Sequence, residues 1–406
     1  MSYNKLEMPK KGDLVVVGLS GGVDSTMTAL LLKEAGCRVV GVTMSLWKND
    51  IPGFPEDPNM RESCYGPGEE KNIEECKTFC EANDIPYYVI DVAEEYKKQV
   101  LDYFTAEYRA GRTPNPCIRC NRFIKFGALL AGIKNLGIDY DYFCTGHYAS
   151  AVRSDVSLSE SYGITGDSEG KDKYPVQIAC AMDATKDQAY FLYRIPSEVL
   201  EKVRFPLGEY KKRDVIAMAV KKGLVAAGRE ESQDFVPEQL FDYLFSDKPS
   251  VPGDFIDMDG HVLGHHRGIE HYTVGQRRGL GVSAKEPLYV AAIDKEKNLI
   301  VLGKDSDLFC EGLIADDLVW PADFNPLKEF DALVKIRLAS RPVPARIEPC
   351  GSTEIGGDAV KITFSEPQRA VAPGQSVVFY RDGVICGGGI ISESIKKGSA
   401  VATQNQ

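Results

Sequence analysis

The chain has 406 residues, 43% hydrophobic and 26% charged, a soluble composition with room for two or three cores. Its formal net charge of −11 argues against a non-specific polyanion binder. Its 11 cysteines are an odd number, the N-terminus "MSYNKLEMPKKGDLVVVGLSGG" does not read as a signal peptide, and no apolar run is long enough to span a membrane; reduced thiols and a cytoplasmic location are therefore expected rather than a disulfide framework.

In chain order, "DLVVVGL" (13–19) is a continuous apolar run, the pattern of a strand buried on both faces. "SGGVDS" follows, and "TMTALLLKEAG" has helical spacing up to Gly36. "CRVVGVTMSLW" predicts a second buried strand, "NIEECKTFCEAND" a helix and "IPYYVIDV" a third strand. "YKKQVLDYFTAEYRAG" and "FIKFGALLAGIKNLG" are helical, and "YDYFCTGHYA" reads as a strand running into a loop. This alternation predicts βαβ units and a parallel sheet with helices on both faces. Cys37, Cys80, Cys144 and Cys180 are expected to be buried as small hydrophobes.

"SDVSLSESYGITGDSEGKDK" (154–173) reads as a surface insertion, and "DQAYFLYRI" and "KKRDVIAMAVKKGL" as helices. From about Pro287 the texture changes to short alternating runs: "LYVAAID", "LIVLG", "DALVKIRL", "ARIEPC", "AVKITF" and "SVVFYRDGVICGGGII". They predict an all-β C-terminal unit, followed by a frayed tail.

"VVVGLSGGVDST" places a Ser/Gly turn between a buried strand and a helix. Ser20, Gly21 and Gly22 let backbone N–H groups converge on an anion at the positive end of the helix. No lysine follows the glycines, so this is not the usual nucleoside-triphosphate loop. A second stretch, "GRTPNPCIRCNRFIKFG" (111–127), holds Cys117 and Cys120 in a region free of acidic residues. Arg109, Arg112, Arg119, Arg122, Lys125 and Lys134 lie there, and "VKIRLASRPVPAR" (334–346) is a second basic run.

"SGGVDS" is the signature of the PP-loop ATP pyrophosphatases, which this chain resembles. The ordered blocks "GRTPNPCIRCNRFIKFG", "TGHYA", "KDQAYFLY", "FPLGEYKKRDV", "ESQDF", "HRGIEHYTVGQRRGLG" and "APGQSVVFY" narrow the resemblance to the tRNA-specific 2-thiouridylases, over about residues 14–391. It implies a parallel-sheet PP-loop α/β domain (1–207), a small central domain (208–285), a C-terminal β-barrel (286–395) and a flexible tail (396–406). It also implies a reaction: ATP, with Mg2+, adenylates O2 of the wobble uridine of tRNA, and persulfide sulfur then displaces AMP. A sulfur donor is required, whether a cysteine desulfurase, a sulfur-relay protein or free sulfide; no membrane is involved.

By the same resemblance, Gly18, Leu19, Ser20, Gly21, Gly22, Val23, Asp24 and Ser25 cradle the phosphates, and Asp24 is counted with the catalytic residues. Met44 and Gly146 adjoin the nucleotide. Asn115, Pro116, Cys117, His147, Lys186, Asp187, Gln188, Arg337, Leu338 and Gln375 fall at tRNA-contact positions, and Cys120 is the nucleophile. Nearby arginines are expected to lower the thiol pKa.

The pattern breaks at two places. The family carries aspartate where this chain has Cys117, and a second catalytic cysteine where it has Phe235 or Val236. Two mechanisms fit. Cys117 and Cys120 form the working pair, or with Cys64 they hold a [4Fe-4S] cluster. "GHVLGHHRGIEHY" gathers four of the five histidines, which reads better as a tRNA-facing loop than as a metal site. Two other functions compete: a PP-loop ligase for a small metabolite, and a tRNA-binding protein that has lost catalysis.

Overall fold

The computed structural model describes residues 3–48, 64–155, 174–224, 235–236, 241–323, 328–352 and 358–396. After a short strand, β1 (Tyr3–Lys5), the first apolar run forms β2 (Leu14–Gly18). Val15, Val16 and Val17 have no exposed surface, which accounts for the unbroken apolar pattern. α1 (Val23–Glu34) leads to β3 (Arg38–Ser45), and α2 (Glu69–Ala82) to β4 (Tyr87–Asp91). Then α3 (Ala93–Tyr96) widens through Lys97–Leu101 into α4 (Asp102–Arg109). α5 (Pro116–Arg119) widens through Cys120–Ala128, with a kink at Phe126, into α6 (Leu129–Asn135). β5 (Tyr142–Cys144), β6 (Ser150–Ser154), β7 (Val176–Ala179) and β8 (Val203–Arg204) follow.

The first sheet has the order β4-β3-β2-β5-β8, and every pairing in it is parallel. The winding direction therefore reverses between β2 and β5. Sheets of this type bind ligands at that reversal, beyond the carboxyl ends of the strands. Val16 faces one layer, with Tyr96, Phe126, Phe143, Tyr190 and Phe205. Val15 and Val17 face the other, with Ala29, Leu32, Cys37, Cys80 and Cys144. Three of the four cysteines expected in the core are thus there, whereas Cys180 is exposed just beyond the end of β7. The helix Lys212–Lys221 packs Val215 and Ala219 against Val23 and Met27 of α1, so the chain beyond residue 207 returns to this unit.

β9 (Gly253–Ile256), β10 (Val262–His266), β11 (Tyr289–Asp294) and β12 (Leu299–Gly303) form a separate sheet of order β10-β9-β12-β11 around Phe255, Tyr272, Val290 and Ile300. "LYVAAID" and "LIVLG", grouped by their texture with the C-terminal strands, instead belong here, because β12 pairs parallel with β9.

β13 (Phe309–Val319), β14 (Phe330–Lys335), β15 (Val343–Ser352), β16 (Asp358–Arg369), β17 (Ser376–Arg381) and β18 (Val384–Lys396) make the ring β18-β13-β16-β15-β14-β17, which β17–β18 pairing closes. Closure leaves the ring without an open edge. Leu313, Val334, Ile347, Ile362 and Phe379 fill it. The hairpin β6–β7 extends this sheet through a single pair, Ala179 with Val384, and so ties the first unit to the barrel.

"DQAYFLYRI" forms a 3-10 turn, Ala189–Leu192, rather than the expected longer helix, and its polar tips dock the barrel. Tyr190 donates its hydroxyl to the Ser376 carbonyl (2.8 Å), Tyr193 meets Ser376 Oγ (3.1 Å), and buried Arg194 reaches Asp317 Oδ1 (2.7 Å). The expected insertion from 156 to 173 and the tail from 397 lie outside the described residues. Among the described residues no helix is long and apolar enough to cross a membrane.

Candidate active site

The turn after β2 sits at the β2–β5 reversal. Gly21 takes φ +77°, a conformation glycine adopts without a Cβ penalty. Ser25 Oγ donates to the Gly22 carbonyl (3.0 Å) and accepts the Ser20 N–H (3.2 Å), so the two serines set the curl of the loop. Gly18 ends β2, and half-buried Met44 lies near the end of adjacent β3. Gly146 meets α1 closely: a Cβ there would stand 2.8 Å from the Asp24 carbonyl carbon and 2.8 Å from Ser25 N. Gly146→Ala is therefore expected to cost about 1–3 kcal/mol through overpacking. The measurement is thermal unfolding; an unchanged Tm would show that α1 yields freely.

Asp24, in the first turn of α1, accepts from Tyr148 OH at Oδ1 (3.0 Å) and from Lys212 Nζ at Oδ2 (2.7 Å). Sequence reading missed both partners, since Lys212 lies 188 residues away. His147 Nδ1 meets Thr145 Oγ1 (2.8 Å), and its ring packs between Phe126 and Phe205. Burial, reinforced by the Lys125 ammonium, drives its pKa well below the ordinary value and keeps the imidazole neutral.

The cysteine motif begins as a helix start. Asn115 Oδ1 accepts the Ile118 N–H (3.3 Å), and Pro116 takes the first helical position. Cys117 lies in that first turn and Cys120 one turn later on the same side. Cys117 is exposed and Cys120 half-buried. Desolvation pushes Cys117 up to about 11 and Cys120 up to about 12. Cys64 raises both further and Lys125 lowers both.

The expectation that arginines depress these thiols is corrected, because the arginines are engaged elsewhere. Arg109 forks onto Asp247 (2.7 Å) and Arg112 onto Glu107 (2.8 Å). Arg119 lies between the rings of Tyr103 (4.3 Å) and Phe123 (4.5 Å) and donates to the Gln99 carbonyl (3.1 Å). The cation that acts on both thiols is Lys125.

Of Phe235 and Val236, the two candidates for the family's second-cysteine position, Phe235 packs against Phe104 (ring centroids 4.9 Å) and Tyr96 (6.4 Å). The phenol of Tyr96 is in turn influenced by Cys120, Cys64 and Cys117. Phe235 thus belongs to an aromatic cluster with Tyr96 and Phe104.

Several expected tRNA contacts face inward. The Gln375 amide donates to the Thr113 and Pro114 carbonyls (2.9 and 3.1 Å), holding the loop before the cysteines. Asp187 accepts the Ala181 N–H, and Gln188 accepts the Tyr148 N–H. Arg337 donates to the Arg369 and Ala370 carbonyls, whereas Leu338 is exposed. Lys186 caps the turn from Asp183 through its backbone N–H. His261, His265, His266 and His271 each hydrogen-bond a different group. Among the described residues the only side chains gathered closely enough for a single ion are Asp257, Asp259 and His261, so the three cysteines do not form a mononuclear site.

Fold and loop define a PP-loop α/β protein that carries two β modules. The family description "tRNA methyl transferase HUP domain" matches residues 13–237, "tRNA methyl transferase PRC-barrel domain" residues 242–304, and "Aminomethyltransferase beta-barrel domain" residues 310–391. The chain is 42% identical over 380 residues to the tRNA-specific 2-thiouridylase MnmA of Endomicrobium trichonymphae, covering 93% of this chain and 98% of that one. It is 42% identical over 390 residues to the protein of that name from Carboxydothermus hydrogenoformans (94% and 98% covered), and 41% over 388 residues to that of Roseiflexus sp. strain RS-1 (93% and 99%). The chain belongs to the tRNA-specific 2-thiouridylase family.

Proposed function

We propose that the protein is an ATP-dependent enzyme that replaces O2 of the wobble uridine of tRNA by sulfur. One observation carries the reading. Gly146 abuts Asp24 and Ser25 of the phosphate loop, and its neighbour His147 packs on Phe126 (ring centroids 6.1 Å) of the Cys120–Ala128 segment, so the turn that carries Cys120 adjoins the nucleotide loop.

ATP phosphates lie on the loop from Gly18 to Ser25, with Met44 and Gly146 beside the nucleoside. Magnesium would ride on the phosphates, while the Tyr148 hydroxyl keeps Asp24 Oδ1 engaged. Uridine O2 attacks the α-phosphorus and pyrophosphate leaves. Sulfur then adds at C2 and AMP departs with the former O2. Asn115, Pro116, Cys117, His147, Lys186 and Leu338 line the approach of the extruded uridine and its tRNA. Asp187, Gln188, Arg337 and Gln375 hold that surface from behind.

The donor set fits an iron–sulfur cluster. Cys64, Cys117 and Cys120 are free thiols, the first two exposed and the third half-buried, and three cysteines leave one iron of such a cluster without a protein ligand. These three residues would hold a [4Fe-4S] cluster, which when bound supplies an iron free to take sulfide. The sulfur comes from a desulfurase, a relay protein or sulfide itself, and the reaction takes place in the cytoplasm.

The test is anaerobic incubation with ATP, tRNA and sulfide. AMP and 2-thiouridine are expected in equal amounts. AMP formed without tRNA would point to a small-metabolite ligase, and tRNA binding without any AMP to a protein that has lost catalysis.

A further inference from the structure

We propose that Lys212 is the cation of the nucleotide site: its ammonium exchanges Asp24 for the terminal phosphates of ATP and stays with the departing pyrophosphate. The inference rests on the reading that ATP binds at the loop from Gly18 to Ser25.

The loop itself has no lysine after its glycines, so backbone amides alone face the triphosphate from β2 and α1. Lys212 brings a positive charge to that place. Its Nζ lies 2.7 Å from Asp24 Oδ2, in the first turn of α1, where an anion-binding helix end would meet phosphate. Its side chain is only 9% exposed, and that of Asp24 is 26% exposed, so the pair opens toward the Asp24 side.

The ammonium is delivered by fixed elements. Lys212 opens its helix, and its backbone N–H donates to Asp183 Oδ2 (2.9 Å). Val215 and Ala219 of the same helix are locked against Val23 and Met27. The ammonium is thereby held beside Asp24 and over the Tyr148 ring (5.8 Å).

Stability alone does not account for a buried lysine here. Asp24 already has the Tyr148 hydroxyl and the positive end of α1 as partners. Burying a second charge beside it carries a desolvation cost that an apolar side chain would avoid. A triphosphate changes the balance, because its phosphates outbid one carboxylate for the ammonium.

The step balances without a redox partner. A lone pair on uridine O2 forms the new O–P bond. The Pα–O bond to pyrophosphate breaks, and its electron pair goes to the pyrophosphate oxygen. Negative charge grows on that leaving group, and the Lys212 ammonium neutralises it.

The test compares Lys212→Met, Lys212→Arg and the wild type by calorimetric titration with ATP, pyrophosphate and AMP, with Tm recorded for each. Lys212→Met is expected to weaken ATP and pyrophosphate by about 10- to 100-fold, the loss of one charged hydrogen-bond donor. AMP should change less than about threefold, and Lys212→Arg should recover most of the ATP affinity. Lys212→Gln keeps a donor for Asp24 without the charge and gives the same comparison if the methionine variant does not fold. Equal losses for ATP and AMP would reduce Lys212 to a brace for Asp24 and overturn the proposal, as would unchanged ATP affinity. A wild type that binds none of the three ligands would instead overturn the nucleotide reading of the loop, and the Lys212 assignment with it.

Discussion

Cys120→Ser is expected to abolish 2-thiouridine formation, by roughly a thousandfold or more, while tRNA-dependent AMP release is retained. A hydroxyl can neither ligate iron as thiolate does nor carry a transferable sulfur. Adenylation needs only the phosphate loop and a positioned uridine, so the two readouts separate. Cys117→Ser should be nearly as severe. With Phe235 or Val236 at the family's second-cysteine position, Cys117 is expected to supply the second thiol. Retarded migration of thiolated tRNA on a mercury gel measures the product, and thin-layer chromatography measures AMP. Full thiolation by the Cys117→Ser, Cys120→Ser double variant would reduce the motif to a helix start.

The metal-free pair should also alkylate slowly near neutral pH. Cys117 is pushed up to about 11 and Cys120 up to about 12, so both are protonated there. The thiolate fraction, and with it the alkylation rate, should rise about tenfold per pH unit until those values are approached. A rate independent of pH between 7 and 9 would contradict the desolvated setting.

What was legible in the sequence is what local pattern encodes. Three adjacent valines meant a strand covered on both faces, and Ser-Gly-Gly followed by helical spacing meant an anion-ready turn. The helix start at Asn115 and Pro116 is missed, since helical spacing is read only from Phe123 onward. Other failures needed partners far along the chain. The arginines around the cysteines read as a basic surface, yet Arg109 is bound by Asp247, 138 positions away. Lys212 looked like one more lysine in "EYKKRDV" until folding brought it to Asp24.

Strand texture could not assign β11 and β12 to their sheet, because an alternating run does not specify which neighbour it joins. β13 escaped notice for another reason. Its register shifts at Cys310/Gly312, Ile314/Ala315 and Asp316/Val319 break the period-two pattern that marks a strand. The wide turns at Lys97–Leu101 and Cys120–Ala128 have no signature distinguishable from ordinary helix. The second of them carries Cys120 itself, in keeping with the concentration of such turns at functional sites.

Cys64→Ser is expected to remove iron and activity together. Anaerobically reconstituted wild type should bind about four iron atoms per chain, with broad visible absorbance that oxygen bleaches. The reasoning starts from the setting of the three thiols. Both thiols of the pair are pushed upward, half-buried Cys120 further than exposed Cys117, and Cys64 adds to the shift of each. Lys125 offsets only part of this. Cys117 and Cys120, both shifted upward, are poor free nucleophiles. They make a good set of ligands, because a bound metal deprotonates cysteine outright and supplies the missing positive charge. The cysteine pair acting alone predicts a different result. Cys64→Ser would then be nearly silent in both readouts, and mass spectrometry would trap a Cys117–Cys120 disulfide or persulfide in the turning-over enzyme. Iron content and thiolation, measured on the same Cys64→Ser preparation, decide between the two chemistries.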